Sequence, residues 1–158
     1  MNLNCPLCNS TATLFCEKPK HLFYKCTNCD GIFRPKDTFL TAEEEKEHYE
    51  KHNNDVFDER YQAFVSPIVN AVLHDFSPEA KGLDFGSGTG PVIAKMLTDK
   101  GYQVQNYDLF FAIEPSLLQE KYNYISCCEV MEHFHHPYQE FELLKNLLLP
   151  KGKLYCKT

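Results

Sequence analysis

No apolar run in this chain approaches the ~20 residues that a membrane-spanning helix requires. The opening residues, Met1 to Asn9, lack the basic and apolar stretches of a secretory signal, so the cytoplasm is the expected compartment. Basic excess is missing too, the formal charge being −6. A broad nucleic-acid surface needs a positive field, so this charge argues against one and leaves room only for a small local patch. Lys18, Lys20, Lys25, Arg34 and Lys36 make the N-terminal segment more basic than the rest, which we read as a solvated module surface. At 158 residues the chain buries roughly 68–70% of its unfolded surface if compact, and so needs no disulfides for stability.

Two nucleotide signatures are absent where they would be expected. The run Gly82-Leu83-Asp84-Phe85-Gly86-Ser87-Gly88-Thr89-Gly90 ends an apolar strand on an acid and then alternates glycines before a helical segment. A dinucleotide fingerprint would need a glycine at position 91, where Pro91 stands, and no Gly-Lys-Ser/Thr follows to make a phosphate loop. What is present is D-x-G-x-G-x-G. Glycines let the backbone turn with φ > 0 and let a ligand lie against bare peptide. Such strand–loop–helix units bind ligands at the carboxyl ends of the strands of open α/β sheets.

Four of the eight cysteines stand as Cys5-Pro6-Leu7-Cys8 and Cys26-Thr27-Asn28-Cys29, seventeen residues apart. Paired C-x₂-C knuckles at this spacing match a site of four thiolates around a tetrahedral Zn²⁺. Asn9-Ser10 and Asp30-Gly31 supply the turns, and Thr11 to Phe15 and Leu22 to Lys25 read as short strands of a zinc ribbon. Four thiolates leave no position for a catalytic water, so this metal is structural. Cys16, Cys127, Cys128 and Cys156 lie outside the pattern.

Beyond the ribbon, Thr41 is a candidate N-cap, with Glu44 completing a capping box for a charged helix that stops near Asn53-Asn54. His48 and His52 share one face of it, read as solvated. A second apolar-periodic segment runs from Val56 to Phe76, with Pro67 expected to break or kink it near Ser66. A helix from Val92 to Lys100 precedes strands at Tyr102–Tyr107 and Ile125–Cys128. An amphipathic helix follows at Pro137–Leu149, then a turn at Pro150-Lys151-Gly152 and a strand from Lys153. Alternating strands and helices predict a parallel sheet with right-handed crossovers.

The glycine run, Asp108 at the end of the second strand, Ile125-Ser126-Cys127-Cys128-Glu129-Val130-Met131-Glu132-His133-Phe134 and Leu148-Leu149-Pro150-Lys151-Gly152 occur in order over residues 80–158. Together they resemble the class I S-adenosylmethionine-dependent methyltransferases, in the branch that includes the ubiquinone-biosynthesis O-methyltransferases. The resemblance implies an α/β, Rossmann-like core, with S-adenosylmethionine as cofactor. It implies Asp84, Gly86, Ser87, Gly88, Gly90, Asp108 and Cys128 as cofactor-binding residues. It also implies that helices before the first core strand cover the cofactor, so residues around Asp58 to Phe64 form part of a lid or simply pack the core. Domains are thus expected at 1–38 (ribbon), 39–78 (helical linker or lid) and 79–158 (core).

Glu129, Glu132 and His133 are the candidate catalytic residues. On a helix or turn, i, i+3 and i+4 share a face, and this cluster resembles the E-x-x-E-H metal site of some methyltransferases. Two carboxylates and an imidazole would suit Mg²⁺ or Mn²⁺; the other reading is a helix cap that orients the loop. Only about thirteen residues separate Asp108 from Tyr122, too few for a helix and a further strand. Leu109-Phe110-Phe111 would then stand in as an apolar wall for adenine. The family normally adds two more strands after Thr158, so a C-terminally truncated core, a fragment of a longer protein, is expected. The reading is methyl transfer to an O, N or C acceptor, with a small molecule favoured and RNA left open. The rival is a non-catalytic zinc-ribbon adaptor on a degenerate fold, binding protein or RNA.

Overall fold

A computed structural model describes residues 3–51 and 55–158. The expected helix stop at Asn53-Asn54, and the pairing of His48 with His52, fall partly outside them.

The N-terminal module is an antiparallel four-stranded sheet in the order β1 (Leu3–Asn4), β2 (Thr11–Lys18), β3 (His21–Cys26) and β4 (Ile32–Phe33). Its two knuckles are built alike. Cys5 N–H donates to Ser10 O at 2.8 Å, and Cys26 N–H donates to Gly31 O at 2.9 Å. Asn9 (φ 60°) and Asp30 (φ 59°) take the left-handed turn that follows each pair, a conformation asparagine and aspartate tolerate. Only Cys5, Ala12 and Cys26 are buried here among the described residues, so the ribbon has almost no apolar core of its own.

Helix α1 (Ala42–Glu50) carries the expected capping box: Glu44 N–H donates to Thr41 Oγ1 at 3.3 Å, and Thr41 N–H donates to Glu44 Oε2 at 2.9 Å. Helix α2 (Glu59–Asp75) starts on Asp58, whose carboxylate accepts the Arg60 N–H. It buries Val65, Ile68, Val69 and Val72, one stripe at helical spacing. The break expected at Pro67 does not occur; α2 runs through it. Proline removes the N–H that would reach the carbonyl of Ala63, four residues back. The Ser66 hydroxyl donates to that carbonyl instead, at 2.8 Å.

The core sheet is parallel throughout: β5 (Lys81–Phe85), β6 (Gln103–Tyr107), β7 (Tyr122–Cys128) and β8 (Leu148–Lys157), in the spatial order β6-β5-β7-β8. Helix α3 (Val92–Thr98) connects β5 to β6, and α4 (Pro137–Leu147) connects β7 to β8. Helices α2 and α3 cover one face through Val69, Val72, Ile93 and Leu97 against Tyr124. Leu83, Phe85, Tyr107, Ile125 and Cys127 face the other side, under Leu117, Leu144 and Leu147. This is the expected α/β, Rossmann-like architecture.

The link from β6 to β7 is short, as its length requires. It holds one 3₁₀ segment, Pro115–Gln119, pinned where Tyr122 Oη donates to Leu117 O at 2.9 Å. The turn expected at residues 150–152 is a bulge inside β8: Tyr122 pairs with Leu148 and Tyr124 with Lys153, leaving the residues between to loop out around Lys151 (φ 66°). Across the sheet, Tyr155 Oη donates to Asp75 Oδ2 at 2.5 Å and Lys153 Nζ lies 2.8 Å from the same oxygen, tying β8 to the end of α2. No helix among the described residues is long and apolar enough to cross a membrane.

Candidate active site

Strand order reverses at β5: β6 lies on one side of it, β7 and β8 on the other. A crevice opens there at the carboxyl ends of the strands, where ligands bind open α/β sheets. In this protein it is a cavity of about 740 Å³. Its floor is Phe85 to Thr89 after β5, Tyr107 to Phe111 after β6, and Cys128 to Val130 after β7.

The loop after β5 is shaped by two glycines. Gly86 has φ 75°, and a Cβ there would lie 2.3 Å from Val130 Cγ2. Gly88 has φ 65°, with open space where its Cβ would be. Asp108 holds this loop from the neighbouring strand: Oδ2 accepts the Gly88 N–H at 2.9 Å, and Oδ1 accepts the Phe110 and Phe111 N–H groups at 2.8 and 3.1 Å. Three bonds from described residues thus occupy most of the about four acceptor positions of a carboxylate. Ser87 Oγ is buried in the same loop with no hydrogen-bond partner among the described residues.

Asp84 sits below the floor and does not line the cavity. It is buried, accepts the Ser126 hydroxyl at 2.7 Å, and is pushed up to about 6 by burial, with the nearby Asp108 adding to the rise. Gly90 also lies outside the lining, whereas Gly86, Ser87, Gly88, Asp108 and Cys128 are in it. The Cys128 thiol is pushed up to about 12 by burial, then by Glu129, and stays neutral.

Glu129, Glu132 and His133 do not form the expected cluster. Glu129 takes a left-handed backbone, φ 55°, with its N–H donated to Lys157 O, and the following 3₁₀ turn covers only Met131–His133. The i, i+3, i+4 face of a regular helix therefore never forms. Glu129 and His133 reach the cavity and Glu132 does not. Among the described residues, the only set of three or more potential ligands whose atoms lie within 4.8 Å of one another is Cys5, Cys8, Cys26 and Cys29. The proposed Mg²⁺ or Mn²⁺ site thus lacks its geometry.

The cysteine set does have its geometry. Cys5 and Cys29 sulfurs are 3.6 Å apart, and Cys8 and Cys26 sulfurs 3.4 Å. A tetrahedron with Zn–S bonds of about 2.3 Å separates sulfurs by roughly 3.8 Å. The Asn28 and Cys29 N–H groups point at Cys26 Sγ, both at 3.4 Å, as suits a sulfur carrying negative charge. The arrangement is compatible with a small structural zinc site.

The roof falls within residues 39–78, expected as a helical linker or lid, but it draws on α1 as well as on the segment around Asp58 to Phe64. Helix α1, polar enough to read as solvated, contributes Ala42, Glu45, His48 and Tyr49 to the cavity. Tyr49 meets His133 edge-on, with ring centres 5.7 Å apart, and lies 6.2 Å from Phe110. Burial, followed by Glu45, pushes its hydroxyl up to about 12, so it remains a donor. Glu45 accepts from His135 Nε2 at 2.7 Å, and Phe39 packs on the same imidazole at 5.1 Å. A lone tyrosine amid the acids of a surface helix was the one available signal. Tyr61 of α2, inside the expected lid segment, also lines the cavity.

No curated protein matches the chain. Residues 57–158, from just before α2 to the end of β8, match a family model described as a methyltransferase domain. That match takes in both glycine turns, Asp108, Glu129 and well over half the chain, and the protein therefore belongs to the methyltransferase domain family.

Proposed function

We propose that the protein is an S-adenosylmethionine-dependent methyltransferase acting on a small-molecule acceptor, with a structural Zn²⁺ in its N-terminal ribbon. The observation that carries the reading is the unfilled donor and acceptor capacity around the glycine loop. Ser87 Oγ is buried with no partner among the described residues, Gly88 faces open space, and the Asp108 carboxylate lies beside both in the cavity lining. These fit an aminoacid–ribose ligand, with Ser87 and the loop amides toward the methionine end and Asp108 toward a ribose hydroxyl. Leu109, Phe110 and Phe111 line the cavity beside Asp108 and offer the apolar wall that an adenine ring needs.

When bound, S-adenosylmethionine supplies an electrophilic methyl group on a sulfonium. This chain's own part is to hold an acceptor in line with it, an alignment worth as much as ~7–11 kcal/mol of the barrier. Glu129 and His133, at the carboxyl end of β7, would take the acceptor's proton, a role that typically adds ~10²–10⁴-fold. Tyr49 and Tyr61 line the roof of the cavity. Calorimetric titration of the zinc-loaded chain with S-adenosylhomocysteine, with NADH as control, tests the reading. Micromolar binding of the first alone is expected; a folded, zinc-loaded protein that binds neither overturns it.

A further inference from the structure

A second recess, of about 660 Å³, lies between the ribbon and the core. Arg34 and Lys36 form part of its ribbon wall; His135, His136, Tyr138 and Gln139 form its core wall. No aspartate or glutamate lines it, in a chain whose net charge is −6. Among the described residues neither Arg34 nor Lys36 has a carboxylate partner. Arg34 is steadied by a bond from Nη2 to Thr38 O at 2.8 Å, while its Nε is buried with no partner among the described residues. Lys36 Nζ lies 3.2 Å from His136 Nδ1, which brings the ammonium to the core wall. Two cations, one with a donor unmet among the described residues, therefore share a recess free of carboxylates, with Cys5 and Cys8 of the sulfur cluster also in its ribbon wall. The N-terminus of α4 adds to this field, because His136 does not cap it with a side chain.

The recess adjoins the cavity at the strand ends: His135 and His136 line both. We propose that it is an oxyanion subsite, holding a phosphate or carboxylate group of the methyl acceptor while the reacting atom lies near Glu129 and His133. Arg34 supplies a planar fork and Lys36 a point charge, the pair that recognises such groups. That the anion belongs to a methyl acceptor rests on the methyltransferase reading; the subsite itself does not.

The test is an amide NMR titration of the full, zinc-loaded chain with inorganic phosphate and, separately, with acetate. We expect saturable millimolar shifts at Lys36, Tyr138 and Gln139 with at least one of them. Saturation by phosphate alone assigns a phosphorylated acceptor, and saturation by acetate alone a carboxylate. R34Q/K36Q should weaken this binding at least tenfold and leave S-adenosylhomocysteine affinity within twofold. K36Q alone, which keeps the Arg34 bond to Thr38, should weaken it several-fold in a ribbon with unchanged spectrum and zinc content. Unmoved resonances with both anions, or wild-type binding by K36Q and R34Q/K36Q, overturn the subsite. Phosphate or acetate binding without S-adenosylhomocysteine binding would keep the subsite and remove the methyl-transfer reading; the converse would do the reverse.

Discussion

Asp108 Oδ2 accepts the Gly88 N–H at 2.9 Å, so the acid that closes β6 clamps the loop that leaves β5. Two neighbouring strand ends are locked to each other before any ligand arrives. Asp108→Asn keeps the shape, but either its amide N–H₂ faces the Gly88 N–H or its flipped form faces Phe110 and Phe111. A hydrogen bond to a charged group is worth about 1.5–3 kcal/mol. S-adenosylhomocysteine binding, measured calorimetrically, should weaken at least tenfold, with a lower Tm.

The two glycines of that loop should fail differently when each is changed to alanine. Gly86→Ala forces a Cβ to 2.3 Å from Val130 at positive φ, and should lower Tm and cofactor affinity together. Gly88→Ala meets no protein atom within 4 Å and suffers only the left-handed backbone cost, about 1–2 kcal/mol. Its methyl group projects into the space assigned to ligand. Affinity should therefore drop well beyond what the Tm change explains.

Metal removal should act locally. The ribbon buries only Cys5, Ala12 and Cys26 among its described residues, so little besides the ion holds it. A strong zinc chelator should release one ion per chain. The amide resonances of β1 to β4 should then collapse to unfolded positions, while those of β5 to β7 persist.

The pH dependence of stability should carry a signature of Asp84. Its carboxyl is raised to about 6 by burial, above its ordinary 3.8. Between these values the folded protein binds more protons than the unfolded chain, so stability falls as pH rises from about 4 to 6 and levels off above. At ~1.4 kcal/mol per tenfold change in proton affinity, the loss is about 3 kcal/mol. Carbon-detected NMR of the carboxyl should find its midpoint near 6. A midpoint near 4, with no decline in urea-derived stability over that range, would contradict it.

Much of this architecture is legible in the residues because it depends on local chemistry. The capping box at Thr41 and Glu44, the turn residues Asn9 and Asp30 after each cysteine pair, and the glycine loop all act within a few positions of one another. What resisted reading depends on distant partners. Helix α1 carries Glu43, Glu44, Glu45 and Glu47 and reads as a solvated face; that Glu45 meets His135, ninety positions away, has no local trace. The left-handed Glu129 defeated a helical count because its conformation accompanies an N–H bond to Lys157. Pro67 failed as a helix breaker because Ser66 satisfies the orphaned carbonyl, a compensation visible only once the side chain is placed.

The tie from Tyr155 and Lys153 to Asp75 bears on the order of assembly. Asp75 ends the helix that precedes the core sheet, and its partners stand on the last strand of that sheet, eighty positions later. During synthesis α2 emerges first, its Asp75 met by the adjacent His74 until β8 leaves the ribosome. Closing so long a loop is slow. The apolar stripe of Val65, Ile68, Val69 and Val72 finds Val92, Ile93 and Leu97 of α3 sooner, so it is the polar end that waits for β8. Topology thus leaves this polar tie between α2 and β8 among the late contacts to close.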